Sequence, residues 1–372
     1  MSPIAPAPTS PSPQPAPEPV LWSDPERQAQ FQAWLASVQT RFALRPESLR
    51  LASADASFRR YLRIYTEGGA HGDSLIIMDA PPDKENSAPF VQIAQLLHDA
   101  AIRAPEVLDW QEAQGFLLLN DLGARTMMQI IDPAAPPPLD LYLQAVDTLI
   151  VWQKASRPGV LPPYDHALLR RELELFPQWY IAQHRQVTLD EAQRKVLDAA
   201  FETIIAENLR WPSVYVHRDF MPRNLMAPSN GNALGVLDFQ DAVYGPITYD
   251  IASLVRDAFL SWDEDFCLDV VVRYWQRARQ AGLPVGDDFG VFYRAVEWMG
   301  LQRHLKIAGI FARLSLRDGK AHYLADTPRF IGYIRATCAR YRELKPLLRL
   351  IDKLEGIEEP NVFGFGRSPG AA

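Results

Sequence analysis

Near residue 122 the hydrophobic pattern of the chain changes period, and few architectures accommodate such a change. Before that point, Tyr61, Leu62, Ile64 and Tyr65 read as a strand, followed by the loop TEGGAHGD and a second strand, SLIIMDA, so that the pair forms a hairpin. Residues 88 to 101, APFVQIAQLLHDAA, carry the spacing of an amphipathic helix. Pro105 and Val107 then lead into two further strand-like runs, the second being GFLLLND. Residues 24 to 43 open the ordered chain with Phe31, Trp34, Leu35, Val38 and Phe42 at helical spacing. From about residue 139 the period is predominantly helical, with one interruption at 213 to 245. Strands gathered at one end and helices at the other predict an α+β chain of two units. The expected boundaries are a small antiparallel-sheet lobe over 21–122 and a larger, mainly helical lobe over 123–358.

Composition narrows the function. Residues 1–20, MSPIAPAPTSPSPQPAPEPV, alternate proline with small residues and lack both Lys/Arg and an apolar core, which fits neither a signal nor a transit peptide. With no apolar surface to offset ordering entropy, this tail is expected to stay extended, and residues 359–372 read as a second tail. A net charge of -7 gives no general attraction for nucleic acid or an anionic membrane. Two cysteines, Cys267 and Cys338, without a CxxC pair, suggest buried thiols rather than a disulfide framework or structural zinc. No apolar run approaches the roughly 20 residues of a membrane span. The expectation is a cytoplasmic protein with a small-molecule partner, whose oligomeric state the sequence leaves open.

The interruption at 213 to 245 carries the chemistry. Short apolar runs, Val214 to Val216 and Leu234 to Leu237, flank a polar loop holding His217, Asp219 and Asn224 in the spacing H-x-D-x-x-x-x-N. After the turn SNGN, Asp238 stands at the end of the second run, in Asp-Phe-Gln. Phosphoryl transfer needs little covalent help, so positioning and charge neutralisation dominate. One carboxylate must accept a proton from the attacking hydroxyl, and Asp219 fits that role. An amide oxygen and a second carboxylate, Asn224 and Asp238, suit Mg²⁺, which prefers hard oxygen ligands. His217 reads as a brace for the loop.

These residues resemble the aminoglycoside phosphotransferase and choline kinase group of small-molecule kinases, which share a two-lobed, protein-kinase-like fold. The resemblance implies that the loop Asp is the catalytic base, that Asn224 and Asp238 bind magnesium, and that ATP is the phosphate donor. It continues downstream in GPITYDIASL, where Asp250 would tie the loop together from a helix start. The segments ASFRRYLRI, IIMDAPP, GFLLLNDLG and HRDFMPRNLM with VLDFQDA are most similar to a subgroup, the bacterial cell-wall-recycling kinases that phosphorylate the anomeric hydroxyl of N-acetylmuramate and N-acetylglucosamine. By that resemblance, adenine would meet backbone groups of Asn120 and Leu122, and Ser57 would lie over the phosphates.

One departure stands out. Kinases of this fold usually carry a Lys on the third strand, paired with a Glu on the following helix. Here Met78 is near the expected place, the only lysine before residue 122 is Lys84, and the helix at 88 to 101 holds no Glu. The arginines Arg59, Arg60 and Arg63 are the candidate replacements for the missing charge, against the alternative of a solvated strand face.

For the acceptor, RRELELFPQWY offers Glu172, Glu174, Trp179 and Tyr180, and Arg303 and His304 are further candidates. Residues 291 to 350 hold twelve Lys or Arg against four Asp or Glu, a balance better suited to a neutral or anionic sugar than to a polycation. Two other readings share the loop motif: a kinase for choline, homoserine or an aminoglycoside, and a nucleotide-binding pseudokinase.

Overall fold

Alternation along three strands builds the first sheet. A computed structural model describes residues 20–54, 58–69, 71–228 and 233–357; the two tails and Ser57 lie outside the described residues. The chain divides into two compact units, one ending at His98 and resuming over Ala104–Leu122, the other comprising Asp99–Arg103 and the chain from Gly123 onward.

In the first unit, α1 (Pro25–Gln39) precedes β1 (Leu44–Ala54), β2 (Arg60–Gly69) and β3 (Gly72–Asp79); α2 (Ala88–Asp99), β4 (Val107–Gln111) and β5 (Phe116–Asn120) follow. The five strands form an antiparallel sheet in the order β1-β2-β3-β5-β4. Leu62 and Ile64, Leu75 and Ile77, and Phe116 and Leu118 each stand two residues apart, so all six project from one face. Phe31, Trp34, Leu35 and Val38 of α1 close that face. Asp24 caps the helix, accepting from the backbone N–H groups of Glu26 and Arg27. Trp34 stacks on Phe116 with ring centroids 5.3 Å apart, and its indole N–H donates to Asp109 at 3.1 Å.

The hairpin of β2 and β3 runs as its sequence predicts. β1 is a strand that the pattern did not predict. It lies at the sheet edge, where Pro46 and the charged Arg45, Glu47 and Arg50 are tolerated because one side needs no ladder partner.

The second unit is mainly helical. α3 (Met127–Ile130), α4 (Leu139–Lys154), α5 (His166–Leu173), a π-helical segment Phe176–His184 and α6 (Glu191–Leu209) come first. Two short antiparallel pairs follow, β6 (Ser213–Val216) with β9 (Val243–Pro246) and β7 (Leu225–Met226) with β8 (Gly235–Val236). Then come α7 (Thr248–Val255), α8 (Glu264–Gln280), α9 (Phe289–Leu316), α10 (Thr327–Arg340) and α11 (Lys345–Glu355).

α9 is the axis of this unit, buried almost continuously from Ala295 to Ala312 and packed by α6, α7, α10 and the π-helical segment. At Gly309 a Cβ would lie 2.4 Å from the Leu175 backbone, so only glycine lets the two segments approach this closely. Cys338 is buried and Cys267 half-buried, both as free thiols. Among the described residues, no helix is long and apolar enough to cross a membrane.

Candidate active site

The loop between β6 and β7 is held by a carboxylate it does not contain. Asp250, in the first turn of α7 and wholly buried, accepts the His217 N–H at 2.7 Å and the Arg218 N–H at 3.0 Å, one on each oxygen. Burial pushes this carboxyl up to about 6, against the opposing pull of His217 and the two backbone donors. His217 is buried too, and burial lowers its pKa. Its ring is placed to donate from Nε2 to the Leu237 carbonyl at 2.9 Å while Nδ1 accepts the Asp219 N–H at 3.3 Å. A neutral imidazole satisfies both contacts, and protonation would remove the second.

Asn224 ends a short 3-10 turn, Pro222–Asn224, and turns back on the loop. Its amide nitrogen donates to the Asp219 carbonyl at 2.9 Å and to Asp238 Oδ2 at 3.2 Å, leaving its own Oδ1 as an acceptor. Gln240 donates to the other Asp238 oxygen at 2.8 Å. Asp219, Asn224 and Asp238 are therefore drawn into one connected group, 19 residues from first to last in the chain. Its oxygen donors fit a hard divalent cation. Among the described residues, no cluster of three His, Cys, Asp or Glu forms a metal cage, and Mg²⁺ needs none, because it keeps waters and takes substrate phosphates as ligands.

Two residues at this site hold a left-handed backbone, Arg218 at φ 77° and Asp238 at φ 61°. Non-glycine residues there cost on the order of 1–3 kcal/mol each and persist only when surroundings over-determine them. Arg218 is over-determined. Its N–H is held by Asp250, its carbonyl accepts from Arg303 Nη1 at 2.8 Å, and its guanidinium donates to Glu172 at 2.5 Å.

Glu172, near the end of α5, also accepts from Lys306 at 2.9 Å, from Gln302 at 3.1 Å and from the Tyr164 hydroxyl. Burial alone would raise the pKa of Glu172, but Lys306 and Arg218 more than offset it and hold it at about 2.

The acceptor candidates thus scatter. Glu172 and Arg303 brace the loop between β6 and β7 through Arg218. Glu174 belongs to a partly exposed ion cluster with Arg170 and Arg194 instead. Tyr180 is core, stacked on Phe176 with its hydroxyl donating to Glu355, and its neighbour Trp179 is half-buried on the π-helical segment. His304 lines a cavity beside α10. Sequence reasoning missed Arg218, Gln302 and Lys306, which join Glu172 in holding the loop. Gln302, Arg303 and Lys306 were visible as polar residues within the apolar run of α9.

In the first unit the three arginines separate by face. Arg60 lies on the α1 side, donating to Asp79 at 2.5 Å beside Arg27 and resting 4.1 Å over the Trp22 ring. The pleat sends Arg60 and Arg59 to opposite faces, as strand alternation predicts, so the two candidates for the missing charge do not act together. Arg63 binds Asp121 through two nitrogens, at 2.5 and 3.0 Å, and Ser74 donates to the same carboxylate at 2.7 Å. Arg59 donates to Glu85 at 3.0 Å, with both side chains largely buried. Met78, where a lysine was sought, is fully buried. Asn120 pairs with Glu106 through both backbone and side chain, and Leu122 is buried.

Residues 48–288 match the phosphotransferase enzyme family. Over 336 residues the chain is 47% identical to an N-acetylmuramate/N-acetylglucosamine kinase of Neisseria meningitidis serogroup B, covering 90% of this chain and 98% of that protein. A kinase of the same name from Pseudomonas aeruginosa is 45% identical over 339 residues, 89% of this chain and 98% of that one. Among solved structures, choline kinase from Cryptosporidium parvum has a TM-score of 0.59 at 10% identity, covering 86% of this chain and 99% of that one, a likeness of fold alone. That fold is the two-lobed, protein-kinase-like α+β architecture expected from the sequence. The chain belongs to the phosphotransferase enzyme family.

Proposed function

We propose that this protein is an ATP- and magnesium-dependent kinase for the anomeric hydroxyl of N-acetylmuramate, N-acetylglucosamine or both, acting in peptidoglycan recycling. The observation that carries the reading is identity of 45–47% over 98% of two relatives that bear the name of that activity. The loop geometry supplies the chemistry. Asp219 is the base: as the sugar oxygen bonds to the γ-phosphorus, its proton passes to the Asp219 carboxylate, the bond to the bridging oxygen breaks, and ADP leaves. An anomeric hydroxyl is more acidic than an ordinary alcohol, so one positioned carboxylate suffices.

Asn224 and Asp238 would hold Mg²⁺, which supplies charge neutralisation for the phosphates. His217 and Asp250 keep the loop in register. On the sheet unit, backbone groups at Asn120 and Leu122 would meet the adenine. Arg59, held by Glu85, is the proposed phosphate-side cation in place of the missing lysine, and Arg63 positions Asp121 beside the adenine segment.

The test is an acceptor screen. ADP release would be followed with each amino sugar, with an aminoglycoside, with choline and with homoserine, and ³¹P NMR would locate the new phosphate. An anomeric sugar phosphate is the expected product. Preferential turnover of a non-sugar alcohol would overturn the reading.

A further inference from the structure

The sheet unit carries a polar triad on a largely apolar stretch of strand face. Leu62 and Ile64 of β2 and Leu75 and Ile77 of β3 turn toward α1, so Arg63, Ser74 and Ile76, each one residue out of step, turn the other way. Along that second face Met78 is fully buried, and Leu119, opposite Ile76 on β5, is nearly so. Ile76 itself stands in register between Arg63 and Leu119 and is half-buried.

Arg63 starts on β2, yet its carboxylate partner Asp121 follows β5, and β3 runs between those two strands. Neighbouring strands lie about 4.8 Å apart, so the side chain must cross β3 to reach Asp121. There Nε and Nη2 donate to the two Asp121 oxygens at 2.5 and 3.0 Å, and the Ser74 hydroxyl of β3 donates to one of them at 2.7 Å. A two-pronged contact fixes the plane of a guanidinium as well as its position. The side chains of Arg63 and Asp121 are 17% and 8% exposed, so the pair is largely shielded from water.

The carboxylate cancels the arginine's charge, which makes Arg63 a poor phosphate clamp. A guanidinium held by its edge is suited instead to use its face, which stacks on aromatic rings and attracts their π electrons. Stability alone gives little reason for the pair, since a buried ion pair is often no better than apolar residues of the same volume. We infer that the Arg63 guanidinium, fixed over β3 by Asp121 and Ser74, is the stacking platform for the purine base of the nucleotide, with Ile76 and Leu119 completing the apolar surface beside it. The inference rests on the ATP-dependent reading, in which Asn120 and Leu122, on either side of the anchor Asp121, meet the adenine. It divides the work of the two arginines: Arg59 serves the phosphates and Arg63 the base.

The test uses the full chain, with displacement of a fluorescent ATP analogue reporting the affinities of ADP and of adenosine, which has no phosphate. Wild type comes first. If it binds neither, the ATP-dependent reading falls and takes the platform with it; if it holds ADP but not adenosine, the platform alone is overturned. Where both bind, Arg63→Lys, which keeps the charge and loses the plane, is compared with Arg59→Ala. We expect Arg63→Lys to weaken adenosine and ADP by the same factor, about three- to thirtyfold, as for a lost cation–π stack. Arg59→Ala should weaken ADP and leave adenosine within about twofold. Unchanged adenosine affinity in Arg63→Lys at wild-type melting temperature would overturn the platform, as would a loss confined to ADP. Should Arg63→Lys fail to fold, the double variant Arg63→Met with Asp121→Asn, which leaves no carboxylate unpaired, decides by the same measurement.

Discussion

The two units both fix functional side chains with ion pairs, but they do so by different means. In the sheet unit the pairs are separable: Arg59 with Glu85, Arg63 with Asp121, and Arg60 with Arg27 on Asp79. In the helical unit one buried carboxylate, Glu172, gathers Arg218, Lys306, Gln302 and Tyr164, and a second, Asp250, takes two backbone donors of the same loop. A network of this kind transmits the loss of any member to the whole loop, whereas separable pairs fail one at a time. The loop between β6 and β7 is thus built to hold one geometry, and the sheet unit is built so that a charge can be relocated without dismantling its neighbours. The proposed move from a strand lysine to Arg59 would be such a relocation.

The largest effect should come from the helical unit and be purely chemical. Asp219→Asn is expected to lower turnover by at least about a hundredfold while leaving ATP affinity nearly intact, as for a lost positioned base. Near-normal turnover would remove Asp219 from that role.

Next comes the stability that the network confers. Glu172 has a folded pKa of about 2, depressed from 4.5, so its contribution is fully present above pH 4.5 and is lost as pH falls from there toward 2. The shift corresponds to roughly 3 kcal/mol across that window. Denaturant titrations at pH 7, 4.5 and 3 should show wild type losing more stability below pH 4.5 than Glu172→Gln does. Parallel losses in the two proteins would mean that the network carries no such coupling. His217 titrates in a separate window: its depressed pKa costs stability as pH falls below about 6.5.

What the sequence discloses follows the same division. The residues proposed for catalysis lie close together in the chain, on two successive loops, because the chemistry requires those types at close range, so spacing points to Asp219, Asn224 and Asp238. The brace does not show itself locally: Glu172 lies 46 residues from Arg218 and 134 from Lys306, and only the packing of α5 against α9 joins them. Glu172 and Glu174 look equivalent in RRELELFPQWY, yet the helix turns one into the core and the other toward Arg170 and Arg194. In the sheet unit alternation separates Arg59 from Arg60, but nothing in the sequence names their partners. β1 escaped notice because an edge strand need not be apolar or free of proline.

The sheet unit offers the third effect. Arg59→Ala should reduce kcat/KM for ATP by about ten- to a hundredfold, the worth of a charge-assisted phosphate contact. Glu85→Gln should reproduce part of that loss by freeing the guanidinium. Arg60→Ala should leave ATP kinetics alone and cost about 1 kcal/mol of stability, since Arg27 still serves Asp79. Equal kinetic losses at Arg59 and Arg60 would show that the face of the strand does not matter and would undo the separation.

The smallest effect is expected at Lys84, the other cation near this region. Its side chain is exposed in the loop before α2, with Nζ 5.2 Å from the centroid of the likewise exposed Phe58 ring. A cation–π contact at such a site is worth about 0.5–1 kcal/mol. Among the described residues no ion pair orients it, whereas the largely buried Arg59 is already oriented by Glu85. Lys84→Ala should therefore change kcat/KM for ATP by less than about threefold, within the range of an ordinary surface substitution. Kinetics of Lys84→Ala and Arg59→Ala measured side by side give the sharpest form of the contrast. If Lys84→Ala collapses ATP use and Arg59→Ala does not, the exposed loop lysine has inherited the strand lysine's work, and Arg59 with Glu85 is only a structural pair.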